Sequence, residues 1–129
     1  MLKGVFMKKK IMLITAFIFF LDQLIKLIIS SFFHLNTSIT IIPNFFNITY
    51  LENSGAAWSI LNGHLSLLII IAIIALFLIM YYMKKFTLNK RNIIAFGLIY
   101  GGLLGNLFDR LFHGYVIDYI DFKIINYNY

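Results

Sequence analysis

Nineteen consecutive residues, Leu65–Met83, contain no Asp, Glu, Lys or Arg. At about 1.5 Å of rise per residue a helix of that length is about 30 Å long, which is the hydrocarbon thickness of a bilayer. In lipid every backbone N–H and C=O must be satisfied within the segment or a closed barrel, so such a run folds as a helix. Two further apolar stretches, Ile11–Ser30 and Ile93–Phe112, are of similar length. With 61% hydrophobic and 12% charged residues, the chain as a whole is too apolar for a soluble domain. The sequence therefore reads as an all-α membrane protein, one integral-membrane domain over residues 1–129, with spans at about 11–30, 65–83 and 93–112.

Charge placement gives the topology. Of eleven cations, Lys3, Lys8, Lys9 and Lys10 precede the first span, and Lys84, Lys85, Lys90 and Arg91 lie between the second and third. Ser31–His64 has neither Lys nor Arg. This is the positive-inside pattern, with the N-terminus in the cytoplasm and residues 31–64 and the C-terminal segment outside. The formal charge of +6 thus reports topology, and no basic groove interleaved with aromatics points to nucleic acid. No cysteine is present, so thiolate chemistry, disulfides and Cys-based metal sites are excluded. His34, His64 and His113 are far apart and no H-E-x-x-H occurs, so no metal or other cofactor is expected. A serine nucleophile lacks its G-x-S-x-G turn.

Residues 36–58 carry a different pattern. Ile39–Ile42 and Phe45–Leu51 are rich in β-branched and aromatic residues, with Pro43-Asn44 as a turn between them. A small antiparallel hairpin resting on the outer membrane surface is expected, followed by a tight loop, Glu52–Trp58, in which Asn53 and Gly55 stand out.

Polar residues then gather where the apolar spans end. Asp22 and Lys26 sit four apart with the acid first, the favourable order for a helical ion pair. Asn106, Asp109 and Arg110 fall on one helical face, and the glycines at 101, 102 and 105 allow another helix to approach closely. An Asp–Arg pair pinning two helices is the bland reading of that cluster. Asp118 follows a turn at Gly114 among Val116, Ile117, Tyr119 and Ile120, surroundings suited to a proton-transferring carboxylate. Two carboxylates sharing one proton can activate water for amide hydrolysis. Asp121 is three residues from Asp118, which on a strand puts it on the opposite face. From the residues alone, a non-catalytic membrane interaction protein and an ion-pathway subunit stand beside the enzyme reading. A pathway needs polar groups through the membrane depth, and here they converge at one end.

Four blocks then form one signature: D-Q-x-x-K at Asp22–Lys26, N-S-G-A-A-W at Asn53–Trp58, G-G-L-L-G-N-L-F-D-R at Gly101–Arg110, and V-I-D-Y-I-D-F at Val116–Phe122. In this order the chain resembles lipoprotein signal peptidase (signal peptidase II), the bacterial membrane aspartic peptidase family. The resemblance implies a monomeric enzyme of the bacterial cytoplasmic membrane, with its site on the extracytoplasmic side. It would remove the signal peptide from prolipoproteins, cutting before the diacylglyceryl-modified cysteine. Asp118 falls on the family's first catalytic aspartate, and Asn53, Gly55, Asn106 and Arg110 on substrate-binding or supporting positions. Asp22, Lys26 and Asp109 fall on structural polar pairs. The family pattern continues with an F-N-x-A-D block, bearing the second aspartate, and a fourth span. Residues 1–129 contain neither, so the expectation is a C-terminally incomplete chain of uncertain activity whose partner aspartate lies beyond Tyr129.

Overall fold

A computed structural model describes residues 2–56 and 60–123. Ala57 and Trp58 of the Glu52–Trp58 loop, and the end of the chain from residue 124 to Tyr129, for which the sequence predicts extended structure continuing from Asp118, lie outside the described residues. The order of elements is α1 (Leu2–Phe32), β1 (Ser38–Ile42), β2 (Phe46–Asn53), α2 (Leu65–Met83), α3 (Lys90–Phe112) and β3 (Val116–Phe122). All three helices are long and apolar enough to cross a membrane. Their outer faces leave Phe20 69% and Phe77 63% exposed, which is the surface of a helix bundle made for lipid.

The second span has the expected bounds, and the other two begin earlier than expected. Lysines at 8–10 end the apolar run of α1 without ending the helix, because charge does not break backbone hydrogen bonding and no proline precedes Pro43. α3 begins at Lys90 and not at Ile93 because Asn89 is its N-cap, its Oδ1 accepting the Asn92 N–H at 2.9 Å. At the far end Gly114, with φ of +83°, takes the left-handed position that stops the helix, and its N–H returns to the Asp109 and Arg110 carbonyls.

α1 and α3 run parallel in close contact. Gly97, Gly101 and Gly105, four apart, meet Ile14, Ile18 and Asp22, also four apart. A Cβ on Gly101 would lie 2.5 Å from Ile18 Cγ2, 2.6 Å from Ile18 Cβ and 3.1 Å from the Thr15 carbonyl oxygen. One on Gly105 would strike the Asp22 carboxylate. This is the small-xxx-small contact of membrane helices, extended by a turn beyond the glycines predicted. Gly102 is not part of it, since nothing lies near its missing Cβ. At one end of the seam Ile11, Ile93 and Phe96 form an apolar core.

At the other end sits a three-stranded antiparallel sheet, order β1-β2-β3. The hairpin turns with Asn44 in the left-handed region, φ +57°. The third strand was not foreseen as part of this sheet. It pairs with β2 through Asn53↔Val116, Leu51↔Asp118, Ile48↔Ile120 and Asn47↔Asp121, with a bulge between Ile48 and Leu51. Tyr50 and Ile117 pack on Ile29 of α1, so one face of the sheet caps the helix seam. The other face has the row Ile39–Ile48–Ile120 and the Phe46–Phe122 pair, whose ring centroids are 5.0 Å apart.

Candidate active site at the end of the bundle

Two polar clusters meet where the sheet caps the helices. In the inner one, Lys26, only 3% exposed, lies 2.7 Å from Asp22 Oδ2 and 2.7 Å from Asp109 Oδ2. Lys26 also donates to Asn106 Oδ1 at 3.0 Å. Gln23 Nε2 donates to the other oxygen of Asp109 at 2.9 Å, and Asp109 is 1% exposed. Two carboxylates around one ammonium are tolerable in lipid because each is hydrogen-bonded and enclosed by protein. The expected i,i+4 pair is thus present, but Asp109 takes Lys26 of α1 as its partner and not Arg110. Adjacent residues on a helix point about 100° apart, and Gly105–Asp109 is the face turned to α1.

Arg110 faces the loop after β2 instead. Its Nη2 donates to the Gly55 carbonyl at 3.0 Å and its Nη1 to the Asn106 carbonyl at 3.3 Å, and its buried Nε has no acceptor among the described residues. The Gly55 N–H donates to Asn53 Oδ1 at 2.9 Å. Asn53 Nδ2 in turn donates to Asp118 Oδ2 at 2.8 Å and to the Ala56 carbonyl at 3.1 Å. Asn53 opposes Val116, two residues from Asp118 on the same face of β3, which is the diagonal reach of cross-strand neighbours. The structure therefore brings Asn53, Gly55, Arg110 and Asp118 into one chain of contacts, with the apolar face of the sheet beside it. Asn106 joins through Lys26 and through its own carbonyl.

The clusters are joined through β3. The Ile117 N–H donates to Asp109 Oδ2 at 3.4 Å and the Tyr119 hydroxyl to Asp22 Oδ1 at 3.3 Å, on either side of Asp118. Burial, then the neighbouring Asp22 carboxylate, pushes the Tyr119 phenol up to about 12, so it stays a donor at neutral pH. Asp121 lies elsewhere, bonded to Asn47 Nδ2 at 2.7 Å.

Gln23 stands in the D-Q-x-x-K block, but its bond to Asp109 is not readable from sequence, and neither is a role for Asn47 or for the Tyr119 hydroxyl. Gln23 precedes Lys26 by three residues, so helical spacing placed it on the charged face. Tyr119 is legible as a neighbour of Asp118, but its partner Asp22 is not, because the two are 97 residues apart in sequence. A separate apolar groove runs along α1 and α3 past Thr15, Phe19, Tyr100, Leu104 and Phe108. None of the polar site residues lines it.

These features define a class: a multi-pass membrane protein with a carboxylate held by an amide and a guanidinium at one end of its bundle. The family model for signal peptidase (SPase) II matches residues 14–129. The lipoprotein signal peptidase of Staphylococcus haemolyticus (strain JCSC1435) is 41% identical, the match covering 95% of this chain and 82% of that one. That of Staphylococcus carnosus (strain TM300) is 40% identical, covering 90% and 74%. A bacterial membrane enzyme solved by the in meso method at 2.3 Å resolution superposes with a TM-score of 0.79 at 38% identity, over 92% of this chain and 73% of that one. The chain belongs to the signal peptidase II family, and it is a bacterial membrane peptidase by that membership.

Proposed function

We propose that residues 1–129 belong to a single domain of an aspartic endopeptidase. It removes the signal peptide from prolipoproteins by cutting before the diacylglyceryl-modified cysteine. The observation that carries this reading is the Asn53–Asp118 hydrogen bond of 2.8 Å, with Arg110 braced behind it through Gly55. Asp118 lies on the apolar face of the sheet, where a substrate anchored by two acyl chains presents its scissile bond at the membrane surface. Asp118 is one of two carboxylates that divide the chemistry. One takes a proton from the attacking water, while the other, protonated, polarises the scissile carbonyl and then protonates the leaving amine. Asn53 orients Asp118 and has contact with the substrate backbone. Arg110 and Asn106 stabilise charge on the tetrahedral intermediate, where one donor is commonly worth about 3 kcal/mol. Asp22, Lys26 and Asp109 support the scaffold. The enzyme works as a monomer without nucleic acid, its N-terminus cytoplasmic and the sheet and Asp118 outside.

The test is cleavage of a diacylglyceryl-modified prolipoprotein in detergent. It uses the 129 residues as they stand and the same chain extended by an F-N-x-A-D block and a further apolar span. Cleavage is insensitive to chelators and is abolished by Asp118→Asn in whichever form turns over. Cleavage that survives Asp118→Asn, or is absent from both forms, sinks the reading.

A further inference from the structure

We infer that Asn47 and Asp121 are a register lock for the sheet, and that Asp121 is a positioning residue for Asp118, not its reacting partner; the inference rests on the reading of Asp118 given above. The two residues are directly opposed on β2 and β3, 2.7 Å apart from Nδ2 to Oδ2, and Asn47 is 3% exposed. The bulge makes this lock consequential. From Ile48 to Leu51 is three steps on β2, whereas their partners Ile120 and Asp118 are two steps apart on β3. Thr49 and Tyr50 therefore share one place opposite Tyr119, and both are buried. Without the extra residue, Asn53 would oppose Tyr115 and stand on the face away from Asp118. The hydrogen bond to the site carboxylate thus exists only when the bulge is where it is.

Register before the bulge is set by Phe46, Asn47 and Ile48. A slip of one residue turns every side chain to the other face. It would also set the buried Asn47 amide opposite Ile120 or Phe122, neither of whose side chains can accept its N–H. Asp121 is the acceptor available to Asn47 on β3, and only in the register that aims Asp118 at Asn53. A buried polar pair that fixes register while contributing modest stability is a known use of such groups.

A swap of the two side chains tests this. Asn47→Asp sets two carboxylates face to face, Asp121→Asn leaves two amides that can still bond, and the double variant restores an amide–carboxylate pair in reverse. Hydrogen exchange of the lipid-embedded 129-residue chain reads the lock without needing turnover. In Asn47→Asp, amides of residues 46–53 and 116–122 exchange about tenfold faster than in the parent, while α1 and α3 are unchanged. The double variant returns to within about threefold of the parent in exchange and, in the form that cleaves, in kcat. Should Asn47→Asp fail to accumulate, Asp121→Leu removes the acceptor at similar volume and is read the same way. Equal exchange in Asn47→Asp (or Asp121→Leu) and parent, or a double variant no slower than Asn47→Asp, overturns the lock. If the double variant recovers exchange but not cleavage, Asp121 is a reacting group and the positioning role is wrong. Cleavage that survives Asp118→Asn instead overturns the proposed function and leaves the lock standing on exchange.

Discussion

Replacing Gly101 by Ala should loosen the bundle, while the same change one residue later should tighten it. At Gly101 the new methyl would sit 2.6 Å from Ile18 Cβ, an atom fixed to the α1 backbone, and 3.1 Å from the Thr15 carbonyl oxygen. Ordinary carbon contacts are about 3.5–4.0 Å, so the helices must part by about 1 Å. Overpacking of this kind costs about 1–3 kcal/mol, and the parting also stretches the 2.7 Å Lys26–Asp109 contact two turns along the seam. Against this stands about 1 kcal/mol of helix propensity gained by Ala over Gly. Packing and propensity together give a net loss of about 0–2 kcal/mol, to which the stretched pair adds. Gly102 has nothing near its missing Cβ, so Gly102→Ala keeps the propensity gain alone and stabilises by about 0.5–1 kcal/mol. Unfolding in mixed micelles titrated with SDS, followed by far-UV circular dichroism, reads both variants against the parent. Equal midpoints for the two alanines would refute the parallel glycine seam.

Three further outcomes are expected. Single cysteines at Ser38 and Asn89 in intact cells report topology: an impermeant thiol reagent labels residue 38 only, and labelling of 89 alone reverses the proposed orientation. Asn53→Ala removes a hydrogen bond to the Asp118 carboxylate and the brace of the loop, lowering kcat/KM about tenfold or more, and an unchanged value refutes its contact role. The Tyr50 phenol, buried and beside Glu52, and that of Tyr119 are both pushed up to about 12 from an ordinary 10. The folded state thus favours the protonated phenols, a contribution complete below pH 10 and lost as pH rises to 12. Phenolate absorbance and strand exchange should change together in that window, and loss of the sheet below pH 9 would contradict this.

Much of the architecture was legible because lipid imposes it. Leu65–Met83 could be only a spanning helix, and its observed bounds are those of the apolar run between His64 and Lys84. Pro43-Asn44 marked the hairpin through backbone chemistry that is local. The third strand was not legible as a member of the sheet, because its partner β2 lies more than sixty residues earlier and nothing in Val116–Phe122 names it. The same limit hid the partner of Asp109. Helical spacing placed Asn106, Asp109 and Arg110 together, but only the docking of α1 shows that Asp109 turns to Lys26 and Arg110 to Gly55. The Asn53–Asp118 bond depends on a bulge, and a bulge is set by pairing rather than by composition.

The inner cluster is costly for what it does in packing alone. One ammonium and two carboxylates leave a formal excess of one negative charge in a nearly dry seam, and an apolar triad of similar volume would hold two helices at least as well. What an apolar triad could not supply is an acceptor for the Ile117 N–H and another for the Tyr119 hydroxyl. Those two groups flank Asp118, so the strand carrying it is joined to α1 and α3 by directional bonds as well as by the packing of Ile117 and Tyr119 near Ile29. Apolar contact alone tolerates sliding, whereas hydrogen bonds to a fixed carboxylate fail when their angle or distance drifts. Lys26 keeps both carboxylates in place at once, which fixes the inner end of β3, and Asn47 fixes its outer end through Asp121. Asp118 lies between the two, and small changes at either end are felt at its contact with Asn53.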